Sequence, residues 1–283
     1  MPIPPLQSAE RRAPSAECRA QISSLHIYPL KSGAGIAVDR FDLGRFGPED
    51  DRRWMVVDAD GALVTQRENV ALRQVAAVPS SDRLSLRAPN LAALEVPRDD
   101  QAPRRTVRVW NDRVEAVDSG DSAAEWFSEV LGQSVRLAYL PSWGVRPTDP
   151  TYDSIGANVG FADGYPILIV GQASLDDLNR RLAAPLPMNR FRPNVVVTGT
   201  APWEEDGWRR FSSNGVTFDA VKPCARCIIT TTDQITGERA QEPLRTLATF
   251  RRQGGGVMFG MNVVHRGPGT LRVGDRLSIA GQV

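Results

Sequence analysis

Histidine is nearly missing from this chain of 283 residues: His26 and His265 are the only two. Neither falls in a Ser or Cys constellation, which argues against a hydrolytic triad. Cysteine is scarce as well, with three in all, and that usage suits a reducing compartment. No apolar run approaches the roughly 18 residues that span a bilayer. Neither charge sign dominates: 34 Lys and Arg stand against 33 Asp and Glu. Near-neutrality argues against a nucleic-acid partner, though a local basic pocket stays open. The chain has no Walker motif, no G-x-S-x-G, no H-E-x-x-H and no internal repeat. The first 21 residues hold Arg11, Arg12 and Arg19 without an apolar segment, so they do not form a secretory signal. They read as a disordered arm; Glu10 and Glu17 count against a transit peptide. The expectation is a soluble cytoplasmic protein.

What the chain does have is the stretch KPCARCIITTTDQITG, from Lys222 to Gly237. Cys224 and Cys227 flank Arg226, whose guanidinium favours a thiolate. The β-branched run Ile228–Thr232 predicts a strand directly after the loop. A C-x-x-C pair can be a redox disulfide, half of a zinc site, two buried structural cysteines or a functional thiolate. Structural zinc needs four donors, and only Cys18 and the two histidines remain to supply them. A thioredoxin-like pair would open a helix rather than precede a Thr/Ile strand.

Short strands separated by turn residues fill most of the chain, at 84–86, 94–96, 106–110, 114–117 and 135–140. Such spacing suggests a sandwich or barrel. A longer strand over Asp51–Asp58 is expected to return through Asp60-Gly61 to Leu63–Thr65. Capping boxes at Ser122/Glu125 and Ser174/Asp177 predict two helices, and Pro243 opens a third. Asn214-Gly215 marks a hairpin, and Gly254-Gly255-Gly256 reads as a hinge. Lys31 and Ser32, beside glycines at a strand end, suit an anion. So do Arg190, Arg192, Asn189 and Asn194 at the mouth of Val195–Val197. The expected fold is α+β, mostly β. The expected segments are an arm over 1–21, a β-barrel-like domain over 22–142 and a second β-barrel over 143–283 with a few peripheral helices.

Six blocks stand in order: IYPLKS (27–32), DDRRWMVVD (50–58), DGYPILIV (163–170), NRFRPNVVV (189–197), CARCIITTTDQITG (224–237) and GPGTLRVGD (267–275). In these the chain resembles MOSC-domain proteins with an N-terminal MOSC β-barrel domain. The likeness is strongest to mitochondrial amidoxime-reducing components and their bacterial relatives. It implies a molybdenum cofactor, in which a pyranopterin dithiolene holds the metal and one protein cysteine completes the set. By motif that cysteine is Cys227, at once metal ligand and catalytic centre. Lys31, Ser32, Arg52, Arg192, Asn194, Ala225 and Arg226 match the positions that hold the pterin and its phosphate, Ala225 through backbone alone. Gly164 and Tyr165 match a further contact pair, hydroxylic in eukaryotic members; Gly164 has no side chain to offer.

The implied reaction reduces N-hydroxylated compounds to amines or amidines: the metal takes the N–OH oxygen, and two electrons with two protons then release it as water. The chain carries no four cluster cysteines, so no iron–sulfur centre of its own is expected. Electrons would come from a separate flavin reductase, ferredoxin or cytochrome b5-like partner. No pyridoxal phosphate, nucleic acid or membrane partner is expected. The alternatives on the same cofactor are a carrier and a sulfur-transfer protein.

Overall fold

The structure, a computed structural model, describes residues 20–282. The expected arm and Cys18 fall outside the described residues, apart from Ala20 and Gln21 at the arm's end. The fold is mostly strand, in two barrel-like sheet systems with few helices, as expected.

A nine-stranded sheet dominates. Its order is Ser278–Gln282, Trp208–Ser213, Val216–Ala225, Gly256–Arg266, Ile167–Gly171, Val195–Thr198, Gln21–Ile27 and Ile36–Val38, with Arg252–Gln253 paired on Gly256–Arg266. Alternation drives the longer strands. Val216, Phe218 and Ala220 point into one core while the residues between them are half-buried. Ile167–Gly171 instead is buried at every position. Ile167 and Ile169 enter the interior core, whereas Leu168 and Val170 meet Phe191, Phe259 and the helix above. A strand covered on both faces reads as a continuous apolar run. It runs parallel to Val195–Thr198, and the helix α2 (Gln172–Arg180) makes the crossover.

A second system stacks a four-stranded sheet (Trp54–Val57, Arg136–Tyr139, Asp112–Asp118, Arg104–Val109) near a three-stranded one (Ala76–Pro79, Arg83–Arg87, Leu94–Pro97). Helix α1 (Asp121–Leu131) closes their shared core with Trp126 and Phe127. The chain's first strand nevertheless belongs to the large sheet: Leu25 pairs with Val195. The strand Gly269–Arg272 reaches back to pair with Arg40–Gly44. Arg40–Gly44, Gly47–Pro48 and Gly269–Arg272 form a further three-stranded sheet, whose Phe41, Leu43 and Leu271 pack into the large sheet's core.

Asp118 anchors the smaller system. Its carboxylate accepts from Arg105 Nε at 2.8 Å, Arg136 Nη2 at 2.8 Å and the Gly120 N–H at 2.9 Å. Burial opposes its ionised form, but Arg136, the Gly120 amide and Arg105 outweigh that and hold the carboxyl below its usual range. A depressed carboxyl stabilises the fold above its unfolded pKa, about 3.9. That contribution disappears as pH falls through the lower folded value. Asp118→Asn is expected to cost about 2–3 kcal/mol at pH 7, below a fully buried pair because both arginines are partly exposed. Urea unfolding at pH 7 and pH 3 checks this: the gap between wild type and variant should shrink at the lower pH.

Several local expectations are corrected. The run after Cys227 is a 3-10 turn, Ile228–Thr231, and not a strand. Thr230 Oγ1 donates to the Cys227 carbonyl at 2.9 Å and Thr231 Oγ1 to Ile228 at 2.8 Å. Such local hydroxyl bonds compete with a ladder. Neither helix uses its expected serine cap. Gly120 and Gly171 sit at the caps, and Ser174 Oγ donates to buried Glu205 at 2.8 Å. The third helix is one turn, Leu244–Leu247. The strand at 51–58 begins only at Trp54, because Arg52 turns left-handed at φ +47. The chain does return through Asp60-Gly61, with Leu63 opposite Val57 and Val64 N donating to the Val56 carbonyl at 2.9 Å, but the strand's full ladder partner is Arg136–Tyr139. The glycine run is no hinge: Gly254 and Gly255 make a tight hairpin turn at φ +53 and +82.

Candidate cofactor cleft

Three loops converge at one edge of the large sheet. The first, Leu30–Gly33, is drawn in by the Lys31 N–H to Trp54 carbonyl bond at 2.8 Å. The second is Asp51–Arg53. The third, Met188–Asn194, carries the chain from α2 into Val195–Thr198. The Cys224–Cys227 loop lies opposite. Together they wall a cleft of about 720 Å³, partly open to solvent. Lys31, Ser32, Arg52, Gly164, Tyr165, Arg192, Asn194, Arg226 and Cys227 all line it. Of the residues expected at the site, Ala225 alone does not; it is exposed, on the strand paired with Met258.

The cleft is strongly cationic. Lys31, Arg52, Arg67, Arg192 and Arg226 line it against the single carboxylate of Asp163. Lys31 is buried, with Nζ at 2.7 Å from both the Phe161 carbonyl and Asp163 Oδ1. Desolvation works against the Asp163 carboxylate, but Lys31 and then Arg67 outweigh it and hold the carboxyl well below its usual range.

Arg52 and Arg192 both pack on the Tyr28 ring, their guanidinium carbons 4.3 and 4.2 Å from its centroid. Burial pushes the Tyr28 phenol up to about 12, so it stays protonated and donates to the Pro193 carbonyl at 3.1 Å. Burial, and then Arg52, bring Arg192 down to about 10, still charged at neutral pH. Ser32, Arg52 and Arg192 all sit at positive φ. Strained backbone of this kind is held only where the surroundings over-determine it. Gly160 shows how closely: a Cβ there would lie 2.7 Å from the Arg52 carbonyl.

Asn194 lines the cleft with its amide fully engaged. Its oxygen accepts from Leu168 N and Arg52 Nη1, both at 3.1 Å; its nitrogen donates to Asp51 at 3.0 Å and His26 at 3.2 Å. It orients Arg52 and offers no spare donor. Arg226 Nη1 donates to Cys224 Sγ at 3.0 Å and Nη2 to the Phe191 carbonyl at 2.6 Å. Cys227 is a free, half-buried thiol at the cap of its short turn. Gly164 has open space around its missing Cβ.

Four buried polar atoms of the lining have no partner among the described residues: Arg67 Nη1, Arg192 Nη2, Arg226 Nε and Tyr165 Oη. An unsatisfied buried donor is costly and invites a ligand. An anionic, acceptor-rich pterin phosphate satisfies guanidinium donors of this kind, and a free thiol beside them offers a soft ligand. The residues present therefore fit the molybdenum cofactor. Among the described residues no three His, Cys, Asp or Glu side chains gather as a protein-only metal site.

Thr65, Arg67, Asp163 and Asn262 also line the cleft, though no motif marks them as site residues. Thr65 and Arg67 come from the smaller sheet system and carry no local motif. Gln66 ties them in, donating to the Ser32 carbonyl at 2.6 Å and pairing with Gln234 at 3.3 Å.

Comparison with known proteins gives two domain matches and a set of relatives. Residues 19–134 match the MOSC N-terminal beta barrel domain, and residues 156–278 match the MOSC domain. Mitochondrial amidoxime reducing component 2 of Bos taurus is 35% identical, covering 90% of this chain and 81% of its own. Component 1 of Mus musculus is 33% identical, covering 92% and 82%. Component 1 of Homo sapiens is 31% identical, covering 92% and 83%. The solved YUAD protein from Bacillus subtilis aligns over 91% of this chain and 93% of its own, at 13% identity and a TM-score of 0.41. With both domain models matched in order and the relatives aligned over nine-tenths of its length, the chain belongs to the MOSC-domain family of the mitochondrial amidoxime-reducing components.

Proposed function

We propose that this protein is a molybdenum-cofactor-dependent oxidoreductase that reduces N-hydroxylated compounds such as amidoximes and hydroxylamines. The observation that carries the reading is the free Cys227 thiol on a cleft whose walls, among the described residues, hold five cations, one carboxylate and four unpartnered buried polar atoms. Family membership supports it.

When bound, the cofactor supplies two-electron oxygen-transfer chemistry; the protein supplies place and charge. Cys227 is the metal's protein ligand. Arg192, Arg226 and Arg52 hold the anionic end, with Lys31 adding charge from the buried wall. Ser32 offers hydroxyl and backbone. Ala225 shapes the loop from outside the cleft. Gly164 leaves room at the rim. Tyr165, whose hydroxyl is buried and pushed up to about 12 by desolvation, presents a neutral donor. Electrons come from a separate donor protein of flavin, ferredoxin or cytochrome b5-like type, and the protein works in the cytoplasm.

The test is turnover. Cofactor-loaded protein with a reduced viologen dye is expected to convert an amidoxime to its amidine. Loaded protein that never does so would favour a cofactor carrier. A persulfide found on Cys224 or Cys227 would favour sulfur transfer.

A further inference from the structure

The hairpin between Arg104–Val109 and Asp112–Asp118 turns on two residues, Trp110 and Asn111. Trp110 takes φ +56. A left-handed backbone crowds any Cβ, and two-residue turns place Gly, Asn or Asp at such positions. Elsewhere this chain obeys that rule. Asn214-Gly215 turns one hairpin at φ +47 and +79, and Gly254-Gly255 turns another at φ +53 and +82. At position 110 it puts the bulkiest side chain instead.

Core packing does not account for the choice. Trp110 is 38% exposed and joins none of the hydrophobic clusters of the described residues. A strained backbone that packing does not require points to a use for the side chain. The ring's partners are both cleft cations: Arg67 Cζ lies 4.3 Å from its centroid and Lys31 Nζ 5.6 Å. Trp110 itself does not line the cleft. Arg67 has little else to hold it. Its one ion pair, to Asp163, is long at 3.7 Å, and its Nη1 is buried without a partner among the described residues.

We propose that Trp110 is a positioning residue of the cleft: its ring holds the Arg67 guanidinium flat against the wall, keeping the unpaired edge ready for a phosphate oxygen of the bound ligand. The smaller sheet system would thereby set the anion affinity of a site built mainly on the larger one. The inference rests on reading the cleft as an anion site. A ring over a guanidinium fixes the plane of the fork without using any of its donors.

The probe is inorganic pyrophosphate, titrated calorimetrically into the cofactor-free full chain. Trp110→Asn removes the ring and gives the turn a residue suited to positive φ. Trp110→Tyr keeps a ring. Trp110→Asn is expected to bind pyrophosphate roughly fivefold or more weakly, with a melting midpoint at or above wild type because strain is relieved. Trp110→Tyr is expected to recover most of the affinity. Wild-type affinity in Trp110→Asn would overturn the proposal. So would a midpoint that falls together with affinity and is not rescued by tyrosine, since that describes a structural residue. Wild-type protein that binds no pyrophosphate would overturn the anion-site reading itself, and this inference with it.

Discussion

Cys227→Ala is expected to strip molybdenum and turnover from the protein while leaving pterin in the cleft. The thiol is free and half-buried, and it makes no side-chain cap to its own turn. Its removal leaves no buried partner orphaned, so the melting midpoint should stay within the roughly 0.5 kcal/mol range of ordinary surface changes. Pterin should stay because the groups proposed to hold it lie elsewhere on the wall: Arg52, Arg192 and Arg226. Even changes outside a metal's ligand set cost roughly 10–100-fold. Loss of the ligand should therefore lower turnover per bound pterin by at least about a hundredfold. Metal analysis, pterin fluorescence and turnover on one preparation check all three parts. Equal loss of pterin and metal would mean that Cys227 holds the loop and not the metal.

Arg192→Gln is expected to do the reverse and empty the cleft. Arg192 Nη1 donates to the Gly33 carbonyl at 2.7 Å, and Nη2 is buried without a partner among the described residues. A charge-assisted bond from that group is worth about 1.5–3 kcal/mol, which is about ten- to hundredfold in affinity. Glutamine has neither the charge nor the reach to replace it. In cofactor-free protein the same change should cost little, because removing one cation relieves its repulsion with Arg52, which packs on the same Tyr28 ring. The signature is therefore a split: pterin occupancy falls about tenfold or more while the cofactor-free midpoint barely moves. Occupancy at the wild-type level would remove Arg192 from the binding set.

Much of this was legible in the residues. The alternation of Val216, Phe218 and Ala220, the Asn214-Gly215 turn and the continuous apolar run Ile167–Val170 each carry their own geometry. Lys31, Arg52, Arg192 and Cys227 sit in blocks dense enough to be picked out, and the fold brings them to one cleft. Three kinds of feature were hidden. One is competition between local bonds: Ile228–Thr232 has strand composition, yet Thr230 and Thr231 spend their hydroxyls on carbonyls three residues back. Another is tertiary demand on a cap: Ser174 serves Glu205, so Gly171 begins the helix. The third is distance along the chain. Arg67 and Trp110 belong to the smaller system and meet only in the fold, the Arg67 guanidinium carbon 4.3 Å from the Trp110 ring centroid. Within the blocks the pattern also marked residues it did not rank. Asn194 was grouped with ligand contacts, but its amide is consumed by four protein partners.

The measurement that tests the central claim most directly is the molybdenum and pterin content of the wild-type chain, purified from a host that makes the cofactor. Close to one of each per chain is expected, with amidoxime reduction tracking the molybdenum. Protein that folds, carries its free Cys227 and yet holds neither pterin nor molybdenum would contradict it.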